Sequence, residues 1–200
     1  DYTGWGVSCN GSGDGFIDIT VVGGVGSYTY SPWSNGATNV DLFNIGPGTY
    51  SMSVTDENGC VADITVDITE PPVLEISEIH SDYTGWGVSC NGASDGFIDI
   101  TVLGGTGVYT YAWSNGSIIE DLSKIPIGTY TVIATDENGC SIDITVDITE
   151  PPVLEISEIH SDYTGYGVSC NGSTDGFIDI TVLGGTGVYT YAWSNGSIIE

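Results

Sequence analysis

Hydrophobic and polar residues alternate along much of this chain. In residues 141–148, isoleucine or valine occupies every second position, and aspartate or threonine fills the positions between them. Residues 97–102 alternate in the same way. A period of two is typical of a β-strand with one buried face, because successive side chains point to opposite sides. No stretch combines apolar residues at helical spacing with good helix formers, so the pattern predicts an all-β protein.

The pattern predicts six strands in residues 73–152, separated by the turn sequences GGTG, SNG, IPIG and ENG. Asn138-Gly139 predicts a two-residue hairpin with a type I′ turn, in which both central residues have positive φ. Six short strands in about 80 residues predict tandem immunoglobulin-like antiparallel β-sandwich domains. The predicted strands are residues 73–79, 97–103, 108–113, 117–122, 129–136 and 141–149.

The chain repeats itself with a period of about 80 residues. DYTGWGVSCNG begins at Asp1 and Asp82, and DYTGYGVSCNG begins at Asp162. This period suits a domain that buries its own core, since solenoid repeats are shorter. The sequence TEPP marks each boundary, which predicts a repeat at 1–72 without its first strand, a complete repeat at 73–152 and a repeat at 153–200 that ends before its last strands. We therefore expect the native chain to continue on both sides.

Each of the first two repeats carries one cysteine in SCNG and one in ENGC. We predict disulfides within each repeat, Cys9–Cys60 and Cys90–Cys140, with the partner of Cys170 outside these 200 residues. Closing a loop of about 50 residues is worth roughly 4 kcal/mol by chain entropy, and it lets each domain fold alone. Free buried thiols and zinc are the alternatives. Disulfides indicate an oxidising, extracellular location.

The chain has 27 acidic residues and one basic residue, Lys124, which gives a formal net charge of −26. Nucleic acids and anionic membrane surfaces are bound through lysine and arginine, so this charge excludes both as partners. With 40% hydrophobic residues the chain is expected to fold rather than to be a disordered acidic tail. No run of about 18 apolar residues is present, which predicts no membrane insertion in this segment.

Two sets of side chains are candidates for binding. Trp5, Trp86 and Tyr166 occupy equivalent places in a glycine-flanked loop, where they either pack at the domain junction or contact a ligand such as a surface glycan. Trp113 instead lies in a strand, which predicts a core tryptophan, with a sugar-binding platform as the alternative.

Weak candidates for calcium ligands are the oxygen-bearing side chains of two turns. The same turns need aspartate and asparagine for their own geometry, which is the competing interpretation. Neither a nucleophile elbow, a phosphate-binding loop nor a zinc-protease motif is present, so we predict no enzyme activity and no cofactor, with calcium as the less favoured alternative. The candidate ligands are Asp95, Asp136, Glu137 and Asn138.

The combination of CNGASDGFIDITVLGGTGVYTYAWSNG, IGTYTVIATDENGC and ITEPP resembles the SprB-repeat family of Bacteroidota surface proteins. The resemblance covers the whole chain. It implies very long cell-surface adhesins or filaments that are exported by the type IX secretion route and associated with gliding motility and attachment. It brings no catalytic residues.

We therefore predict a structural repeat array of a long secreted adhesin or extracellular filament, located at the cell surface. Its partners would be the neighbouring repeats of the same chain and like chains in a filament. Copies extend the reach of such an array and multiply a weak contact. One alternative is a multivalent carbohydrate-binding module, and another is an accessory region of a larger extracellular enzyme.

Overall fold

In the computed structural model, the described residues 2–198 form β-strands joined by turns and loops. The strands of the first repeat are β1 (Gly15–Ile17), β2 (Thr29–Tyr30), β3 (Leu42–Ile45), β4 (Gly48–Thr55) and β5 (Val61–Ile68). Those of the second are β6 (Glu75–His80), β7 (Gly96–Leu103), β8 (Thr110–Trp113), β9 (Leu122–Ile125), β10 (Gly128–Thr135) and β11 (Ser141–Ile148). The third repeat contributes β12 (Glu155–His160) and β13 (Ile178–Leu183).

Five of the six strands predicted for the second repeat are confirmed within two residues at each end, and the strand predicted at 117–122 is wrong. The fourth strand there is β9, which begins at Leu122. Ile118 is 78% exposed, and the Trp113 indole N–H donates to the carbonyls of Ile119 (2.9 Å) and Glu120 (3.3 Å). The tryptophan thus holds this segment as a loop, because it takes the carbonyls that a strand would use.

The strands of the second repeat form two sheets, with the orders β6-β7-β9 and β8-β10-β11. The pairs β7–β9 and β8–β10 are antiparallel. One sheet contains the first, second and fourth strands of the repeat, and the other contains the third, fifth and sixth. The A-B-E and C-F-G strands of an immunoglobulin sandwich are divided in the same way. The predicted all-β, antiparallel fold class is confirmed.

The first repeat shows how the two sheets share a core. Buried side chains from β1 and β3 pack in one cluster with side chains from β4 and β5. Trp33 is a buried member of this cluster, and its counterpart Trp113 is also buried, which confirms the predicted core tryptophan. The buried members of the first cluster are Val7, Ile17, Trp33, Leu42, Ile45, Met52, Val54 and Ile68.

A β-bulge occurs at the same place in the β1–β3 pair of the first repeat and in the β7–β9 pair of the second. In the β7–β9 pair the register moves from Gly96↔Ile125 to Phe97↔Ser123, which leaves Lys124 unpaired with φ +57°. Asn44 takes the same place in the first repeat with φ +53°. A side chain larger than that of asparagine is unusual in this left-handed conformation.

The contacts between Cα atoms divide the chain into two compact units. The first comprises Asp1–Glu78, Ile100–Glu120 and Thr131–Ile144, and the second comprises Ile79–Asp99, Asp121–Tyr130 and Thr145–Glu200. The first unit therefore contains the whole first repeat and part of the second. The domain boundaries at 72/73 and 152/153 stay predictions. Across residues 2–198, no helix has the length and apolar character needed to cross a membrane.

Candidate functional site: the junction between the first two repeats

The junction begins at a turn in residues 8–12, here called the SCNG turn. The N–H of Ser12 donates to the carbonyl of Cys9 (3.0 Å), and the N–H of Ser8 donates to Oδ1 of Asp14 (3.0 Å). The hydrogen bonds from the Ser8 hydroxyl and N–H lower the pKa of Asp14 below its usual value. An ionised Asp14 therefore braces the backbone next to Cys9.

The TEPP linker, residues 69–72, is tied to this turn. The side-chain amide of Asn10 donates to the carbonyl of Pro71 (3.0 Å), and the N–H of Gly11 donates to Oε2 of Glu70 (2.6 Å). The N–H of Gly6 donates to the carbonyl of Thr69 (2.9 Å). Pro71 is fully buried. The linker leaves the first repeat along a path set by these bonds and by the restricted φ of proline.

The second repeat contributes the DENGC hairpin, residues 136–140. The hairpin is confirmed, but the predicted type I′ turn is wrong, because only Gly139 of the Asn138-Gly139 pair has a positive φ (+89°). Oδ1 of Asp136 accepts the N–H groups of Asn138 (3.0 Å) and Cys140 (2.8 Å), and the N–H of Gly139 donates to the carbonyl of Asp136 (3.1 Å). The aspartate selects a type I turn that ends in a left-handed glycine.

The other carboxylate oxygen of Asp136 fastens the hairpin to the GGTG loop. Oδ2 accepts the N–H (2.9 Å) and the hydroxyl (3.1 Å) of Thr106, and both residues are buried. The N–H of Glu137 donates to the carbonyl of Thr106 (3.1 Å). Four donors converge on one buried carboxylate, so the tip of the hairpin has a single geometry to present to a partner.

Asn138 docks this tip on the first repeat. Its amide nitrogen donates to the carbonyls of Tyr2 (3.3 Å) and Ser8 (3.1 Å), and its Oδ1 accepts the hydroxyl of Thr3 (3.2 Å). All of these residues belong to the first compact unit. Asn138 thus binds the loop that precedes the SCNG turn and the first residue of that turn, and Cys140, two residues further on, lies beside Cys9.

A disulfide joins Cys9 to Cys140, with 5.7 Å between their Cα atoms. This distance is ordinary for a disulfide. The predicted pairs Cys9–Cys60 and Cys90–Cys140 are therefore wrong, because the hairpin that reaches Cys9 comes from the following repeat. Cys60, Cys90 and Cys170 are exposed free thiols. No signal in the sequence separates the two pairings, since both cysteines recur once per repeat.

The sequence profile of the SprB repeat matches residues 7–38, 88–118 and 168–197. The chain contains three SprB repeats. Each match includes an SCNG turn and the core-tryptophan region, whereas the TEPP linker and the DENGC hairpin lie outside the matched segments. No curated protein matches the chain. SprB repeats are typical of secreted cell-surface proteins, and the match indicates a repeat region of a Bacteroidota surface protein.

The three candidate aromatic residues occupy equivalent tight turns, each just before a segment that the SprB profile matches. Tyr2 and Trp5 exchange backbone hydrogen bonds of 3.0 Å across Thr3 and Gly4. Trp5 and its counterpart Trp86 are half-buried, whereas Tyr166 is 72% exposed. Trp5 therefore lies in the loop that receives Asn138. A ligand-binding or junction role for these three side chains stays a prediction.

The calcium candidates are already hydrogen-bonded within their turns. Oδ1 of Asp95 accepts the N–H of Ser89 (3.1 Å), and the Ser89 hydroxyl and N–H lower the pKa of Asp95. Both oxygens of Asp136 serve the hairpin, and Glu137 is exposed. Among the described residues no three histidine, cysteine, aspartate or glutamate side chains lie together where a metal ion would fit. Calcium binding at these turns stays the less favoured hypothesis.

An open groove of about 710 Å³ lies in the third SprB repeat. Its apolar wall includes Ile178, which is 59% exposed, while the counterpart Ile98 in the second repeat is 0% exposed. The groove is thus lined by side chains such as Ile178, Ile180 and Trp193, whose counterparts in the second repeat are buried in the core. The lining side chains include Ile156, Ile178, Ile180, Tyr191 and Trp193.

Proposed function

We propose that these SprB repeats form the shaft of a long secreted cell-surface adhesin or extracellular filament. The shaft supplies reach and presents many copies of a weak contact, and it serves attachment and gliding motility. Export follows the type IX secretion route. The repeats carry out no catalysis and need no cofactor, and their first partners are the neighbouring repeats of the same chain.

The observation that supports this proposal is the bond between Cys9 and Cys140, which crosses a repeat boundary. A shaft that is pulled at one end and held at the other transmits tension through every boundary. At this boundary a covalent bond carries the tension. The hydrogen bonds of Asn138 and the hydrogen bond from Asn10 to the TEPP linker reinforce it.

The acidic surface fits the same role. A net charge of −26 on 200 residues makes like shafts repel one another at low salt, which keeps them extended and separate. Like chains would associate into a bundle only where cations screen this charge. We propose single shafts at low ionic strength, with lateral association as a salt-dependent second state.

The direct test is imaging of the native assembly on the bacterium that makes it. Gold-labelled antibodies against the repeats should decorate thin filaments that project from the cell. In-frame deletion of two repeats should shorten these filaments in proportion and lower attachment under flow. Labelling only in the culture fluid would contradict the proposal that the repeats form a shaft. A filament length that is unchanged by the deletion would contradict it as well.

A glycan array discriminates the carbohydrate-binding alternative. The intact chain and its Trp86→Ala and Tyr166→Ala variants would be applied side by side, because Tyr166 presents the more exposed ring. Binding that is lost in either variant would favour a carbohydrate-binding module. A shaft without its own glycan site predicts equal, background signals for all three proteins.

A further inference from the structure

The half of the joint that receives a hairpin is built in every repeat. The N–H three residues after the cysteine donates to its carbonyl at 3.0 Å in all three copies. The serine before the cysteine donates to an aspartate at 3.0–3.1 Å in all three copies. The linker contacts also recur, since Asn91 donates to Pro151 (3.0 Å) and Gly92 donates to Glu150 (2.8 Å).

The half that delivers a cysteine is also repeated. In the first repeat Oδ1 of Asp56 accepts the N–H groups of Asn58 and Cys60, both at 2.9 Å. The N–H of Asp56 donates to the carbonyl of Cys60 (3.0 Å), as Asp136 does to Cys140 (2.9 Å). Cys60 is therefore carried on the same hairpin as Cys140, with its thiol exposed and free.

We infer that the Cys9–Cys140 bond is one rung of a ladder, in which the SCNG cysteine of every repeat bonds the DENGC cysteine of the repeat that follows it. Cys90 and Cys170 then form disulfides with the hairpin cysteines of following repeats. Cys60 forms one with the SCNG cysteine of a preceding repeat. The partner of each thiol is another SprB repeat of the same chain.

The oxidation needs an external acceptor for two electrons. A low-molecular-weight disulfide such as oxidised glutathione supplies it by thiol–disulfide exchange. The first thiolate attacks glutathione disulfide and releases one glutathione thiolate. The second thiolate then attacks the mixed disulfide, forms the bond between the repeats and releases the other glutathione. Two protein thiols are oxidised, and one glutathione disulfide is reduced to two glutathiones.

The ladder limits extension in a way that bonds within repeats would not. The loop closed by Cys9 and Cys140 spans 131 residues, more than one repeat, so successive loops overlap. Tension passes from Cys9 through sulfur to Cys140, along the backbone to Cys170 and into the next rung. About 30 residues in every two repeats carry tension as free backbone, or about 100 Å. Bonds within repeats would leave twice that length.

This inference does not depend on what the shaft attaches to, and it can be tested on the isolated chain. The 200-residue protein is oxidised with a glutathione redox buffer, its free thiols are alkylated and it is then analysed by mass spectrometry. The ladder predicts three alkylated cysteines, Cys60, Cys90 and Cys170. A single alkylated cysteine, Cys170, would overturn it, because that is the result for pairing within repeats.

The decisive test lengthens the full chain at Glu200 with a copy of residues 121–152. In the copy Ser141→Ala gives the hairpin peptide its own mass, and this position is exposed in the second repeat. The ladder predicts a peptide that joins Cys90 to the added cysteine, with Cys60 and Cys170 left alkylated. A bond between Cys170 and the added cysteine, with no free thiol elsewhere, would contradict it.

Two matched variants of the extended chain accompany this test. With the added cysteine replaced by serine, three thiols should be free, as in the shorter chain. With the added copy of Asn138 replaced by alanine, the new bond should form several-fold more slowly in the same buffer. Near-ultraviolet circular dichroism reports folding, and an equal rate in this variant would show that docking does not direct the bond. If the extension misfolds, the thiol count of the 200-residue chain still decides between the first bond of the ladder, Cys9–Cys140, and pairing within repeats.

Discussion

Lys124 has the left-handed φ of the β-bulge, and the first repeat has Asn44 at the same place. Asparagine tolerates this conformation better than lysine, since its short polar side chain interacts locally with the backbone. We expect Lys124→Asn to raise the free energy of unfolding by about 0.5–1 kcal/mol. Urea denaturation followed by tryptophan fluorescence measures this difference.

The reciprocal variant is the matched control, because both bulges have the same register. Asn44→Lys should lower the free energy of unfolding by a similar amount. Loss of stability in both variants would mean that contacts of the individual side chains outweigh the backbone conformation.

Asp95 illustrates how one serine favours the ionised form of a carboxyl group in the same turn. Hydrogen bonds from the Ser89 hydroxyl and N–H lower its pKa. A carboxyl group with a lowered pKa stabilises the folded state above its unfolded pKa of about 3.9, and this contribution is lost as the pH falls through the folded pKa. We expect Ser89→Ala to raise the pKa of Asp95 in a carboxyl titration by nuclear magnetic resonance.

Asp14, braced by Ser8 in the same way, serves as the internal control. Its titration should not change in the Ser89→Ala protein, since the two turns belong to different repeats. An unchanged titration of Asp95 would show that the backbone N–H alone holds the carboxylate.

At the scale of elements, the DENGC hairpin depends on Asp136. This buried carboxylate accepts two backbone N–H groups within the hairpin and both donors of Thr106. Asp136→Ala leaves these donors without their partner, and we expect a loss of about 2–4 kcal/mol in the free energy of unfolding. The rate of Cys9–Cys140 formation in a glutathione buffer should fall as well, because the hairpin no longer presents Cys140 in one geometry.

Thr106→Val is the matched control with a smaller expected effect. The first repeat has Val25 at the equivalent position, and the N–H of Val25 still donates to Asp56 (3.0 Å). Only the hydroxyl bond is lost, so we expect a cost of about 0.5–1.5 kcal/mol with little change in the rate of disulfide formation. Equal effects of the two substitutions would show that the hydroxyl, rather than the backbone bonds, orders the hairpin.

At the scale of the whole molecule, the disulfide determines how far the chain extends under force. Cys9 and Cys140 enclose 131 residues that cannot be pulled straight while the bond is intact. We expect reduction to add about 430–470 Å to the final contour length of the 200-residue chain, at 3.3–3.6 Å per residue. Single-molecule pulling with and without a reductant measures this increment.

The Cys9→Ser variant should reach the full length without reductant, and reductant should not lengthen it further. An increment near 170 Å for each bond in the unmodified chain would correspond to loops of about 50 residues, and hence to pairing within repeats. That outcome would contradict the bond that crosses the boundary.

Local patterns in the sequence determined the class of the fold. Period-two alternation in residues 97–102 and 141–148 predicts strands correctly, because side-chain direction in a strand is a property of the nearest neighbours. Trp113 also followed from its place in an apolar strand. Where a side chain reached beyond its own strand, local reasoning failed. The Trp113 N–H turned residues 117–121 into a loop, and the Asp136 carboxylate chose the turn type at Asn138-Gly139.

The pairing of the cysteines was decided by tertiary structure alone. Both cysteines recur with the period of the repeat, so the sequence is equally compatible with a partner 51 residues or 131 residues after Cys9. The shorter loop was predicted because it lets each repeat fold alone, and the structure has the longer one. The physical reason is the docking of Asn138 on the loop before the SCNG turn, which brings Cys140 within bonding distance of Cys9. Contacts between repeats are not encoded in the order of residues within one repeat.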